Sequence, residues 1–168
     1  MTTRTARCAC SRVAVTVEGE STLVNTCHCG FCQKRSGNVF ATNAQFAEDQ
    51  VVAITGETKI YNGLEIDGVG TAGSGLGIDY HFCATCGSTV YWAFAAPGTG
   101  SRTFLVAVGN FEDADFPMPT VEVFTKFRHH WVTPVPDAAQ FFDPLDGSAP
   151  VDSMLPTARM DAGTESAP

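Results

Sequence analysis

The stretch Cys27-His28-Cys29-Gly30-Phe31-Cys32 places three thiols and an imidazole within six residues. The other four cysteines lie in two close pairs, Cys8/Cys10 and Cys83/Cys86. Spacings of the C-x-C and C-x-x-C kind bring sulfurs to one side of a short turn, which is typical of thiolates that share a metal ion. The sequence therefore predicts a fold organised around metal-bound cysteines.

Composition and charge limit the classes of protein to which the chain can belong. It has 168 residues, 44% of them hydrophobic and 17% charged, so we expect one domain with a sizeable core. Its net charge of −8 disfavours nucleic acid or an anionic membrane as partner and favours small molecules. No apolar run approaches the roughly 20 residues of a membrane span, and the N-terminus lacks the apolar core of a signal peptide. We therefore expect a cytoplasmic protein, in which seven cysteines indicate metal binding rather than disulfides.

Alternation of apolar and polar residues predicts a mainly β domain. The clearest strand is 12–18, where Val13, Val15 and Val17 share one face. Residues 50–55 and 57–61 flank Gly56, and we expect them to form a hairpin. Further strands are predicted at residues 22–26, 38–42, 88–95, 103–108 and 121–127.

Two segments differ in composition from the rest. Residues 68–77 hold five glycines and formally contain the dinucleotide fingerprint Gly-x-Gly-x-x-Gly, but no helix pattern follows, so we predict a surface loop. Residues 143–168 are rich in Pro, Asp, Ser, Ala and Gly, which predicts a poorly ordered tail. The folded domain is expected to span residues 1–142.

The number of cysteines indicates two metal sites of different kinds. Seven thiols exceed one tetrahedral site and fall one short of two. We therefore expect one closed, structural site of four cysteines and one site of three whose fourth position is open to water or substrate. Spacing alone leaves the pairing open, since Cys29/Cys32 with Cys83/Cys86 would also make a zinc-ribbon-like site.

The order of the cysteines resembles that of the glutathione-dependent formaldehyde-activating (Gfa-like) family. The shared pattern is Cys-x-Cys, then Cys-His-Cys-x-x-Cys with a basic pair and Ser-Gly, then Phe-Cys-x-x-Cys-Gly. Residues 108–113 and 119–131 resemble the family's downstream turn and terminal strand, so the likeness covers residues 7 to 142. One departure is Ser11, which stands where glycine usually follows the first Cys-x-Cys. The resemblance implies a mainly β, Mss4-like β-tent fold of antiparallel sheets built around a structural zinc site.

The same resemblance implies roles for individual residues. The ligands of the structural zinc would be Cys8, Cys10, Cys83 and Cys86. The ligands of a second, labile zinc at the open catalytic site would be Cys27, Cys29 and Cys32. Lys34 and Arg35 would bind the carboxylate-bearing thiol. The implied activity is that of a carbon–sulfur lyase, which forms or cleaves S-hydroxymethylglutathione or a related adduct from glutathione and formaldehyde or another aldehyde.

Two functions of other classes are compatible with the same cysteines. One is a non-catalytic Mss4-like zinc-binding module that docks a protein partner, and the other is a thiol-based metal buffer. On an extended backbone His28 points away from Cys27 and Cys29, so we expect it not to be a ligand. The alternative is a second closed site completed by His28. The sequence indicates neither the proton donor nor the oligomeric state.

Overall fold

The computed structural model describes residues 1–62, 77–95, 98 and 100–144. The described residues form eleven strands: β1 (Thr3–Arg7), β2 (Ala14–Glu18), β3 (Leu23–Cys27), β4 (Ala41–Ala47), β5 (Val51–Thr55), β6 (Thr58–Asn62), β7 (Asp79–Cys83), β8 (Thr89–Ala95), β9 (Arg102–Ala107), β10 (Val121–Val123) and β11 (Ala139–Phe141). One α-helix, α1 (Gly30–Ser36), follows β3, and single 3-10 turns lie at Glu48–Gln50, Val108–Asn110 and Thr125–Phe127. The predicted mainly β class is confirmed.

The strands form two sheets. The smaller is antiparallel with the order β1-β2-β5, and the larger has the order β11-β10-β3-β4-β9-β8-β7-β6. The larger sheet is antiparallel except at β10, which pairs in parallel with both β3 and β11. The parallel pairs therefore lie next to β3. This strand ends at Cys27, where the thiol-rich segment begins.

The main core joins the two sheets. Val13, Val15 and Val17 are completely buried, as their alternation predicts, and they pack in one cluster with Phe46 and Val106 of the larger sheet. Burying a side chain of this size contributes about 1.5–3 kcal/mol. Cys8 and Cys83 belong to the same buried cluster, so the apolar core is continuous with two of the cysteines.

The predicted hairpin around Gly56 is wrong. β5 pairs with β2 in the smaller sheet, whereas β6 pairs with β7 in the larger one. Gly56 is instead the point where the chain passes from one sheet to the other. Its φ is +87°, and a Cβ at this position would lie 1.9 Å from the carbonyl oxygen of Arg12. The backbone of Gly56 thus packs directly against Arg12, shortly before β2. With this contact β5 lies next to β2, and β6 pairs in the other sheet.

We expect Gly56→Ala to destabilise the fold by about 3 kcal/mol, since a methyl group would meet fixed backbone in a left-handed conformation. Gly37→Ala is the matched control, because Gly37 also has a positive φ (+67°) but has open space around its Cα. The control should cost only about 1 kcal/mol. Chemical denaturation of both variants measures the difference, and equal losses would show that the contact with Arg12 does not matter.

Most predicted strands differ from the observed ones by one or two residues at an end, and two differ by more. The strand predicted at residues 38–42 corresponds to β4, which starts only at Ala41, so residues 38–40 precede the strand. The segment predicted at 121–127 is extended only to Val123, because Phe124 adopts a left-handed backbone (φ +57°) and turns the chain into the 3-10 turn. Residues 68–76 and 145–168 lie outside the described residues, so the loop and tail predictions there stay predictions. None of the helices in the described part of the chain has the length and apolarity required to cross a membrane.

Candidate metal centres

One cluster of thiols joins the start of the chain to its middle. The sulfurs of Cys8, Cys10, Cys83 and Cys86 all lie within 4.8 Å of one another. Two of the separations are 3.5 Å (Cys8 to Cys10) and 3.7 Å (Cys10 to Cys83), the latter between residues 73 positions apart. We call this set the four-thiol cluster. It could hold a metal ion with protein ligands at every tetrahedral position.

Two tight turns bring these four sulfurs together. Ser11 has φ +58°, a left-handed backbone that glycine would adopt at lower cost. Gly87 has φ +75°, and its N–H donates to the carbonyl of Cys83 at 2.9 Å. The N–H groups of Val13 and Thr85 point to the sulfurs of Cys8 and Cys83 at 3.3 and 3.4 Å. Such backbone donors stabilise the thiolate form that a metal requires.

The second cluster consists of Cys27, Cys29 and Cys32, whose sulfurs also lie within 4.8 Å of one another. Among the described residues, no fourth Cys, His, Asp or Glu joins this three-thiol cluster. Cys27 ends β3, and Cys29 is the N-cap of α1, where its sulfur accepts the N–H of Cys32 at 3.4 Å. A strand end and a helix start thus supply all three sulfurs.

The thiols of this cluster differ in acidity. Hydrogen bonds with Cys27 and Cys32 lower the pKa of Cys29 to about 3. Hydrogen bonds with Cys29 and Cys32, reinforced by burial, raise the pKa of Cys27. In the metal-free chain one thiolate is therefore stabilised by two neutral thiols. A metal ion bound by all three sulfurs has to displace the remaining protons, so its affinity falls as the pH falls.

An aromatic wall borders the three-thiol cluster. Cys27 and Cys29 pack in one buried group with Phe31, Tyr80 and Trp92. The ring centroids of Phe31 and Tyr80 are 5.1 Å apart and those of Tyr80 and Trp92 are 5.9 Å apart. Cys32 is the one thiol of the three that is only half-buried. The sulfurs of all three cysteines are nevertheless buried, and the aromatic wall gives the cluster an apolar inner side.

The His28 side chain lies among other polar groups rather than with the sulfurs. It is fully buried, and its Nε2–H donates to Oε1 of Glu122 at 3.1 Å. Glu122 also accepts from Arg128 (2.7 Å) and Gln140 (2.6 Å). Burial acts to raise the pKa of Glu122, but hydrogen bonds from His28 and Gln140 and the charge of Arg128 outweigh it, so its pKa is lowered. We call these residues the His28 network: His28, Glu122, Arg128 and Gln140.

Arg35 links the three-thiol cluster to a groove. Its guanidinium carbon lies 4.2 Å from the ring centroid of Trp92 and 5.4 Å from that of Tyr80. A hydrogen bond with Cys27 lowers the pKa of Cys32 and the charge of Arg35 adds to this effect, but hydrogen bonding with Cys29 and burial outweigh both and raise the pKa to about 11. The groove has a volume of about 470 Å³, and Arg35 and Asn43 line it together with hydroxyl and amide side chains from β4, β8 and the adjoining turns. Lys34, in contrast, is exposed and lies outside this lining.

Sequence reasoning missed α1 and the His28 network. The helix had recognisable signals at its end, where Lys34 and Arg35 occupy the last turn and Gly37 follows as the left-handed C-cap. Glu122 had a weaker signal, as a charged residue between Val121 and Val123 in an otherwise apolar strand. Its partners could not have been identified from the pattern, because His28 is 94 positions away in the chain.

Taken together, these features define a class of protein: a two-sheet β protein with a four-thiol cluster and a three-thiol cluster, each able to hold a metal ion. All seven cysteines are free of disulfide bonds, as that class requires. The model of the family of glutathione-dependent formaldehyde-activating enzymes matches residues 3–127, and the chain belongs to that family. The matched range includes every cysteine of both clusters. No curated protein matches the chain.

Proposed function

We propose that the chain is a zinc-dependent carbon–sulfur lyase that forms or cleaves S-hydroxymethylglutathione or a related thiol–aldehyde adduct. The observation that carries the proposal is the difference between the clusters: one offers four sulfurs and the other only three among the described residues. A catalytic zinc keeps a position free for water or substrate, whereas a structural zinc is closed by protein ligands. Membership of the family supports glutathione and formaldehyde as the reactants.

The donor sets fit zinc. Thiolates are preferred ligands of this ion, and tetrahedral coordination at Zn–S distances of about 2.3 Å separates neighbouring sulfurs by about 3.8 Å. The separations of 3.5 and 3.7 Å in the four-thiol cluster agree with that value. We propose one structural zinc there and a second, labile zinc at the three-thiol cluster. A reducing compartment such as the cytoplasm would keep all seven thiols available as ligands.

The groove and Arg35 support a thiol that carries a peptide body. A volume of about 470 Å³ lies within the range of small-molecule sites, and amide and hydroxyl side chains such as Asn38, Asn110 and Ser88 suit peptide groups. Among the described residues that line the groove, Arg35 is the one with a charge, and it would pair with a carboxylate of the thiol. None of the three thiols is among the described residues that line the groove; Arg35, one helical turn after Cys32 in α1, is the residue that connects the groove with the three-thiol cluster.

The reaction needs the incoming sulfur as a thiolate beside the aldehyde. A bound zinc would supply Lewis acidity and favour the deprotonated form of the thiol. The positive charge of Arg35 offsets the negative charge of three thiolates, and so favours the approach of an anionic thiol. The aromatic wall of Phe31, Tyr80 and Trp92 excludes water from the inner side of the cluster. The thiolate then forms a bond to the aldehyde carbon while the C=O π bond breaks, and the oxygen takes up a proton; cleavage is the reverse.

Exchange of the adduct tests the proposal directly. Two-dimensional exchange NMR of glutathione and formaldehyde at equilibrium measures interconversion with and without the zinc-loaded protein. We expect exchange to be faster with the protein, in proportion to its concentration. Because formaldehyde reacts with thiols unaided, a rate no higher than the background would overturn the lyase proposal and favour a non-catalytic zinc-binding module.

We expect Arg35→Ala to raise the KM for glutathione about 10- to 100-fold, since a charge-assisted hydrogen bond contributes about 1.5–3 kcal/mol. Lys34→Ala is the matched control, as it removes a neighbouring charge that lies outside the groove. Its KM should stay within about twofold of the unmodified chain. Steady-state kinetics on both variants measures the two KM values. If Lys34→Ala raised KM as much as Arg35→Ala, the positive charge of the helix end in general, and not Arg35 in particular, would bind the carboxylate.

A further inference from the structure

The backbone of His28 determines how the three thiols converge. Cys27 is fixed by the ladder, where it pairs with Ala41 of β4 and Val123 of β10. Cys29 begins α1 and so carries Cys32 with it. His28 is the single residue between Cys27 and Cys29, and any change in its φ or ψ moves two sulfurs relative to the third.

Every polar group of His28 except Nδ1 has a partner other than the three cysteines. Its N–H donates to the carbonyl of Val123 at 3.0 Å, and its carbonyl accepts from Gln33 Nε2 at 2.7 Å. Its ring nitrogen Nε2 contacts Oε1 of Glu122 at 3.1 Å and lies 3.3 Å from Nε of Arg128. The same Gln33 amide donates to the carbonyl of Phe127 at 3.1 Å, which joins α1 to the segment after β10.

Glu122 is the centre of this arrangement. It is 1% exposed, yet it receives hydrogen bonds from His28, Arg128, Gln140 and the N–H of Val135. A buried carboxylate with partners on all sides resists displacement, because each lost hydrogen bond would leave a desolvated polar group. The strand that carries it is the one that pairs in parallel with β3.

An open metal site needs such support more than a closed one does. Where four protein sulfurs surround an ion, the ion itself joins the segments that supply them. With three sulfurs and a free position, the convergence of the ligands depends more on the surrounding chain. Within the described part of the chain, no hydrogen bond of the His28 network reaches the four-thiol cluster, so the two clusters provide an internal comparison.

We propose that the His28 network, centred on the Glu122 carboxylate, positions Cys27, Cys29 and Cys32 for metal binding at the open site. This inference rests on the proposed use of the three-thiol cluster as a metal site. Glu122 acts as a positioning residue through His28, and it touches neither the metal nor the thiol substrate. Its effect is specific to one of the two clusters.

The test is the zinc affinity of each cluster in Glu122→Gln, measured by competition with a chromophoric chelator. We expect affinity at the three-thiol cluster to fall, but by less than the roughly 10- to 100-fold that follows removal of a direct partner of a metal ligand, because Glu122 contacts His28 and none of the three cysteines. Affinity at the four-thiol cluster should be unchanged. Cobalt(II) loaded at the three-thiol cluster should show altered visible bands, which report ligand geometry. Glu20→Gln is the matched control, since it removes an exposed carboxylate paired with Arg4.

The possible outcomes separate the inference from the proposed function. Two tightly bound zinc ions in Glu122→Gln, with unaltered cobalt bands, would overturn the positioning role and leave the lyase proposal standing. Uptake of a single ion by the unmodified chain would overturn both. If Glu122→Gln does not fold, Gln140→Met removes one hydrogen bond to the same carboxylate. That variant should show a smaller loss of affinity at the same cluster, and no loss there would contradict the inference.

Discussion

Replacing Cys29 by serine should reduce bound zinc from two ions to one per chain and lower adduct exchange to the unassisted background. Hydrogen bonds with Cys27 and Cys32 lower the pKa of Cys29, so its sulfur is the one of the three for which the thiolate form is favoured. A two-sulfur remnant would hold zinc far more weakly, and we expect the rate to fall by at least about 100-fold. Metal analysis after gel filtration, combined with exchange NMR, measures both effects.

The substitution is well suited to separate function from folding. Cys29 is the N-cap of α1, and serine is among the best N-cap residues, so the helix should persist. The four-thiol cluster is untouched, and the melting temperature should change by only a few degrees. Cys32→Ser should lose the same zinc ion with the same retention of fold. Unchanged exchange in both variants would contradict a catalytic role for the open cluster.

The local sequence pattern correctly predicted those parts of the fold that depend on residues close together in the chain. Alternation at Val13, Val15 and Val17 correctly predicted one buried face over β2 and the residue before it. The same kind of pattern failed at Gly56, since a glycine between two strands is compatible with a hairpin and equally with a crossing between sheets. The contact with Arg12 that decides between them joins residues 44 positions apart. Periodicity contains no information about such a contact.

Prediction of the candidate site succeeded for residues close together in the chain and failed for distant ones. The short spacings indicated metal-binding thiols, but the grouping of four with three came from resemblance to a family, since an alternative pairing has equally good spacing. The structure brings together the sulfurs of Cys10 and Cys83, which are 73 positions apart, in agreement with that grouping. The His28 network lay beyond either approach. It depends on the parallel pairing of β10 with β3, and a three-residue strand leaves too little pattern to predict a partner.

Removing metal from the four-thiol cluster should unfold the domain, in contrast to loss of the open site. Structural zinc sites contribute an apparent free energy of about 10–16 kcal/mol at neutral pH, and domains are stable by only about 5–15 kcal/mol. This cluster links the segment before β2, which contains Cys8 and Cys10, to the end of β7 at Cys83. Without the ion, four thiols that converge at the ends of these strands lose their common ligand. We expect Cys83→Ser to be unfolded or aggregated at 25 °C.

Thermal melts at several zinc concentrations measure the same effect without a substitution. Because the ion binds the folded chain, the melting temperature should rise with free zinc and fall in a strong chelator. Cys27→Ser is the matched control: it removes one buried thiol, as Cys83→Ser does, but from the open cluster. It should keep a cooperative melt that still depends on zinc. A Cys83→Ser chain that melts like the unmodified protein would show that the apolar core around Val13, Val15 and Val17 holds the two sheets together unaided, and that the four-thiol cluster is not the structural site.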